Sequence, residues 1–209
     1  MSWWSRESGN SRSKPPEQWS NVVRRLHGRV EFENGLSNRE IDRTEDRYGF
    51  RFPPDLREFL QTAMPKGPQF PDWRSGDEAQ LREWLDIPRD GVLFDIEQNS
   101  FWLPEWGPKP AAIKDALSIA SELIQAAPKL IPIFMHRMMP DEPHLPGNPV
   151  FSVHQTDIIV YGLDLHAYLH AEFHPLPMAR THDRAMRSIR FWDVDRFQGV
   201  RWQAPASDK

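Results

Sequence analysis

The sequence predicts an α+β fold, helices packed on a mostly antiparallel sheet in a single domain, and three observations carry that expectation. Apolar residues recur at helical spacing as far as Ala127, and short β-branched and aromatic runs bounded by turn residues take over after Pro128. Two of those runs are separated by a hairpin-sized connection. With 209 residues, 39% apolar and 11% aromatic, the chain has the material for a substantial core. Its length corresponds to one or two domains of ~100–200 residues.

Residues 1–16 are rich in Ser, Asn, Gly and Pro and are expected to form a mobile tail. From Glu17, the spacing of Trp19, Val22, Val23, Leu26 and Val30 predicts a first helix, with Arg24, Arg25 and Arg29 on its wet face and Asn34-Gly35 ending the unit. Ser37 and Glu40 supply a capping box, and Leu36 and Ile41 a hydrophobic staple, for a second helix running to about Tyr48. Gly49 can release it through the left-handed conformation. Pro54 suits the first turn of a third helix, in which Leu56, Phe59 and Leu60 bury one face and Pro65-Lys66-Gly67-Pro68 is the terminator. Ser75 and Glu78 repeat the capping-box spacing and predict a helix to about Leu85, whereas Gly91 to Glu97 fits no single period.

Phe101 to Pro108 combines three large rings with two prolines and predicts an irregular packed segment. Ile113, Ala116, Leu117, Ala120, Leu123, Ile124 and Ala127 mark an amphipathic helix closed by Pro128. Strands are expected at 130–134, 149–153 and 157–162, the last two as an antiparallel pair, followed by a short helix through Leu165, Tyr168, Leu169 and Phe173. The domain is expected to span 17–175, with 176–209 an Arg-rich extension that packs back through Phe191-Trp192.

Composition excludes several chemistries. With no cysteine there is no disulfide, thiolate nucleophile, iron–sulfur cluster or Cys-bound zinc. A formal charge of -4 argues against direct nucleic-acid binding, and nine Trp and twelve Phe argue against a disordered acidic chain. The phosphate-cradle, dinucleotide, zincin and nucleophile-elbow motifs are all missing, so neither enzyme activity nor a cofactor is expected. No stretch approaches the ~20 apolar residues of a membrane span. The N-terminus lacks the features of a secretory signal, so a cytoplasmic protein with no membrane contact is expected.

Three groupings are candidates for function. His166, His170 and His174 stand at i, i+4 and i+8, a spacing that a metal could use on a helix. Pro175 and the want of an accompanying carboxylate motif make a solvated face the better reading, and no metal is expected. His136, Arg137 and Asp157 offer a base, a cation and a carboxylate, for which an Arg137–Asp157 pair supporting the sheet edge is favoured over catalysis. Trp102 and Trp106, held in a proline-rich segment, are candidates for a partner contact. Residues 31–179 hold 13 basic against 24 acidic residues, a net -11, which is either an ordinary solvated acidic surface or a field that would steer a basic protein partner.

Several blocks resemble a known family. Leu36-Ser37-x-x-Glu40-Ile41 precedes Tyr48-Gly49-Phe50-x-Phe52-Pro53-Pro54-Asp55-Leu56. There follow Phe101-Trp102-x-x-x-Trp106-Gly107-x-x-Pro110, Ala127-Pro128-x-Leu130-Ile131-Pro132-Ile133 with His136-Arg137, and Gly147-Asn148-Pro149-Val150-Phe151-Ser152-Val153 with Gln155-Thr156-Asp157-Ile158-Ile159. In this order, over about residues 17–173, they are similar to the SUKH superfamily of cell-wall-synthesis regulators and bacterial toxin-immunity proteins. The resemblance implies helices on a mostly antiparallel sheet, no established catalytic residues, and a cytoplasmic role binding and neutralising a cognate toxin, often a nuclease. The alternative it allows is a regulatory scaffold or adaptor of the cell-wall-regulator kind.

Overall fold

The structure, a computed structural model, describes residues 17–173, 186–192, 195 and 197. The expectations for the 1–16 tail, for His174 and for most of the C-terminal extension lie outside the described residues. The fold is α+β: among the described residues there are six helices and two antiparallel sheets.

Helix α1 (Glu17–Leu26) buries Trp19, Val22, Val23 and Leu26 and exposes Arg24 and Arg25. It stops four residues short of Val30. Gly28 adopts a φ of 87°, and the chain turns into strand β1 (Glu31–Asn34), so Val30 keeps its apolar environment without being helical. β1 pairs antiparallel with β2 (Ala63–Lys66), Phe32 opposite Pro65. Pro65 therefore lies within a strand instead of terminating a helix. Neither four-residue strand has an alternating pattern, and a two-stranded ribbon is marginal by itself. It forms because Ala63 and Met64 are buried in the core.

Helix α2 (Asn38–Tyr48) has the expected capping box. The Glu40 backbone N–H donates to the Ser37 hydroxyl, the Ser37 backbone N–H donates to the Glu40 carboxylate, and Gly49 ends the helix at φ 67°. Helix α3 (Pro54–Thr62) starts at Pro54, and buried Asp55 accepts the Gly147 N–H at 2.8 Å, joining two of the sequence blocks named above.

Helix α4 (Glu78–Gln98) departs furthest from expectation. Its N-cap is Asp77, which accepts from the backbone of Ala79 and Gln80, whereas the Ser75 hydroxyl donates to Asp72. The helix also runs through Pro88 and Gly91. An interior proline costs about 3 kcal/mol, and burial of Pro88, Val92 and Ile96 offsets it.

After a single 3-10 turn (Pro104–Trp106) comes α5 (Ile113–Gln125). Strands β3 (Leu130–Phe134), β4 (Arg137–Pro140), β5 (Val150–His154) and β6 (Asp157–Gly162) then form one antiparallel sheet in that order, and α6 (Leu165–Phe173) follows. The expected β5–β6 hairpin is present, with Gln155 at φ 55° in its turn, and β4 is an additional strand. Each face of the sheet enters a separate apolar cluster. Ile131, Ile133, Met139 and Val150 meet residues of α1, α2, α3 and α6. Leu130, Met138, Phe151, Val153 and Ile158 meet α4, α5 and the C-terminal residues Ile189, Trp192 and Phe197. No described helix is long and apolar enough to cross a membrane.

Candidate functional site

The site is built where α4 meets the end of the four-stranded sheet that carries the β3–β4 and β5–β6 turns. Met135, at φ 50°, turns the chain from β3 into β4, so that His136 and Arg137 emerge side by side and Arg137 lies opposite Ser152 of β5. The Arg137 guanidinium donates to Ser152 Oγ at 2.6 Å and to His136 Nε2. It stacks over the Tyr161 ring, 3.7 Å from the centroid, and its Nε lies 3.5 Å from Glu172 Oε2 on α6. Burial, Arg137 and His154 lower the His136 pKa, with Glu172 opposing, so the imidazole is neutral at neutral pH and Nε2 can accept. Burial raises the Tyr168 phenol pKa far up, with the Glu172 charge adding to it. Arg137 thus meets a hydroxyl, an imidazole, an aromatic face and a carboxylate, although its buried Nε and Glu172 Oε2 attract across 3.5 Å without a hydrogen bond. Such an arrangement clamps α6 to the sheet.

The expected Arg137–Asp157 pair is therefore replaced by Arg137–Glu172. Ser152 faces Ile159, while Asp157 stands opposite His154, two residues further along β6. That offset is about 7 Å at 3.4 Å per residue, and α6 brings Glu172 over the guanidinium instead. No local pattern announces Glu172, because it lies 35 positions from its partner.

His136 also lines a groove of about 500 Å³ with Glu83, Ile87, Asp90 and Gly91 of α4 and Val153, His154 and Gln155 of the hairpin. Two contacts fix its floor. A Cβ on Gly91 would lie 2.6 Å from Gln155 Cα, so only glycine allows the helix this close to the turn. One turn on, buried Asp95 accepts from the Thr156 N–H at 3.0 Å and the Thr156 hydroxyl at 2.5 Å, and also from Asn99 Nδ2 at 2.6 Å. Among the described residues no group of three or more His, Asp or Glu side chains is placed to hold a metal. His166 and His170 lie one turn apart on α6, and the third histidine of that spacing is outside the described residues.

Trp102 and Trp106 form a separate aromatic group beside the 3-10 turn. Their rings meet edge to face at 5.2 Å, Trp106 stacks on Phe191 at 5.9 Å, and Trp102 Nε1 donates to the Gly107 carbonyl at 2.7 Å. Both are half-buried against the second apolar cluster.

A third feature is an acid-lined depression of about 670 Å³ under α2, with Asp42, Glu45, Asp46, Asp141 and Glu142 among its walls. Burial, reinforced by Glu142, pushes the Asp141 pKa up to about 6 against the Lys129 N–H that it accepts at 2.8 Å. Comparison with protein-family models, with curated proteins and with solved structures finds no match for this chain.

Proposed function

We propose that the chain is a non-enzymatic protein-binding domain, an immunity protein that neutralises a cognate bacterial toxin in the cytoplasm, a nuclease being the toxin class its charge suits. One observation carries the reading: residues 31–179 hold a net -11, and although Arg39, Arg43, Arg51 and Lys114 are exposed, other cations of the segment are taken up by pairs or backbone carbonyls. Arg57 pairs with Asp42 and Glu45, Arg74 with Glu33 and Glu40, Lys66 with Glu33, and Arg137 with Glu172. Lys109 and Lys129 donate to backbone carbonyls. Exposed Asp46, Glu83, Glu97 and Glu122 shape the outer field. A nuclease presents Lys and Arg to phosphates, and an acidic protein surface can occupy the same cleft. The SUKH-like blocks support the same reading.

Co-expression with the product of the reading frame immediately upstream tests it. Rescue from that product's toxicity and co-purification support immunity, whereas an upstream product that is neither toxic nor bound favours the adaptor role. With a purified pair, the association rate should fall steeply as salt shortens the Debye length from ~10 Å at 0.1 M to ~3 Å at 1 M. A rate flat over that range would move the contact to the Trp102–Trp106 edge.

A further inference from the structure

The solvent face of α4 combines charge and exposed apolar surface in one register. Glu83, Ile87, Asp90, Phe94 and Glu97 stand at i, i+4, i+7, i+11 and i+14, which places them on a single stripe opposite buried Val92 and Ile96. Phe94 is 47% exposed, although a neighbouring core has room for aromatic rings from three other segments. The stripe is continuous with the hairpin groove, because Gly91 and Asp95, on the adjoining flank of the helix, hold Gln155 and Thr156. Exposed Asp157 extends the acidic edge. Arg89 is the neighbouring cation, and it pairs with Asp86 and Asp90.

We propose that this stripe, with the groove beside it, docks a segment of a partner protein that carries Lys or Arg around one apolar side chain. The inference rests on the protein-binding reading above and names the surface for it. Charge complementarity selects the occupant: Glu83, Asp90 and Glu97 surround Phe94 and Ile87 as a charged rim surrounds the apolar centre of an interface. The apolar side chain seats on Phe94 beside half-buried Ile87, and the partner's cations reach Glu83 and Glu97, with Asp90 shared with Arg89.

The test uses the full chain, isotope-labelled for NMR, with a synthetic amphipathic Lys/Leu helical peptide as probe and a Glu/Leu peptide of the same pattern as control. Saturable shifts confined to 83–98 and 154–157 are expected with the Lys/Leu peptide alone. Phe94→Ser should weaken binding at least about tenfold, as for a central contact residue. The triple reversal Glu83→Lys, Asp90→Lys and Glu97→Lys should abolish it, both variants keeping the parent melting temperature. The triple reversal Glu31→Lys, Glu105→Lys and Glu122→Lys should leave it intact. Shifts spread over every acidic surface, or an unchanged affinity in Phe94→Ser, would overturn the proposal. So would concentration-dependent dimerisation abolished by Phe94→Ser, since the occupant would then be a second copy. A toxin bound equally well by the α4 reversal overturns the surface and leaves the immunity reading standing. Localised peptide binding with no partner encoded upstream does the reverse.

Discussion

Replacing Asp95 by Ala should cost the protein about 3 kcal/mol. Hydrogen bonds from Thr156 N, Thr156 Oγ1 and Asn99 Nδ2 end on this buried carboxyl group. Thr156 is 1% exposed, so its two donors would be left without water, and each stranded buried donor costs ~1–3 kcal/mol. Asn99 is exposed and rehydrates, adding little. Because ~1 kcal/mol shifts the melting temperature by ~2–4 °C at this chain length, the drop should be about 6–12 °C. Urea unfolding followed by tryptophan fluorescence measures the loss, and an unchanged slope would show that the cost is one of stability and not of compactness. Thr156→Val removes the hydroxyl alone and should cost about 1 kcal/mol. The double variant should be more stable than the sum of the single losses predicts by at least about 0.5 kcal/mol. A loss below about 1 kcal/mol for Asp95→Ala, or strictly additive effects, would refute the view that this contact anchors the hairpin to α4.

Three further outcomes are expected. Gly91→Ala should destabilise by about 1–3 kcal/mol in the same unfolding assay, although alanine is intrinsically the better helix former by about 1 kcal/mol, because the new methyl meets Gln155 backbone. Hydrogen bonds from the Ser37 side chain and backbone, then from Arg74, hold the Glu40 pKa at about 2, below its ordinary 4.5. The stability that ionised Glu40 contributes should thus be present above about pH 4.5 and fade as pH falls toward 2, a slope that Glu40→Gln removes from the urea midpoint. Asp141 has the opposite sign. Its pKa rises from 3.8 to about 6, so its ionisation should weaken the fold as pH climbs through that window. Asp141→Asn should then melt higher than the parent at about pH 7, the advantage vanishing near pH 4.

The parts of this protein that depend on chain neighbours were legible in its sequence. Ser37 and Glu40 satisfy each other three positions apart, and Gly49 closes the same helix. The β5–β6 hairpin needs only a two-residue turn, the α6 period describes a buried face, and the α5 period holds for Ala116 and Ala120 while Ile113 at its start is exposed. Those signals define the α+β class because each one is a bond or a burial preference decided within a few residues. Tertiary structure decided the rest. Leu26 and Val30 have helical spacing, yet Gly28 turns the chain and the Ala63–Lys66 edge draws the next residues into β1. Ser75 had the spacing of a cap and lost that role to Asp77, while α4 continued through Pro88 because its far half is buried. Arg137 took Glu172 in place of Asp157, and Asp95 met Thr156 across 61 positions, pairings that no local pattern encodes. A buried charge or donor must be satisfied by whichever group the topology brings within reach, and the topology follows from packing two faces of one sheet at once.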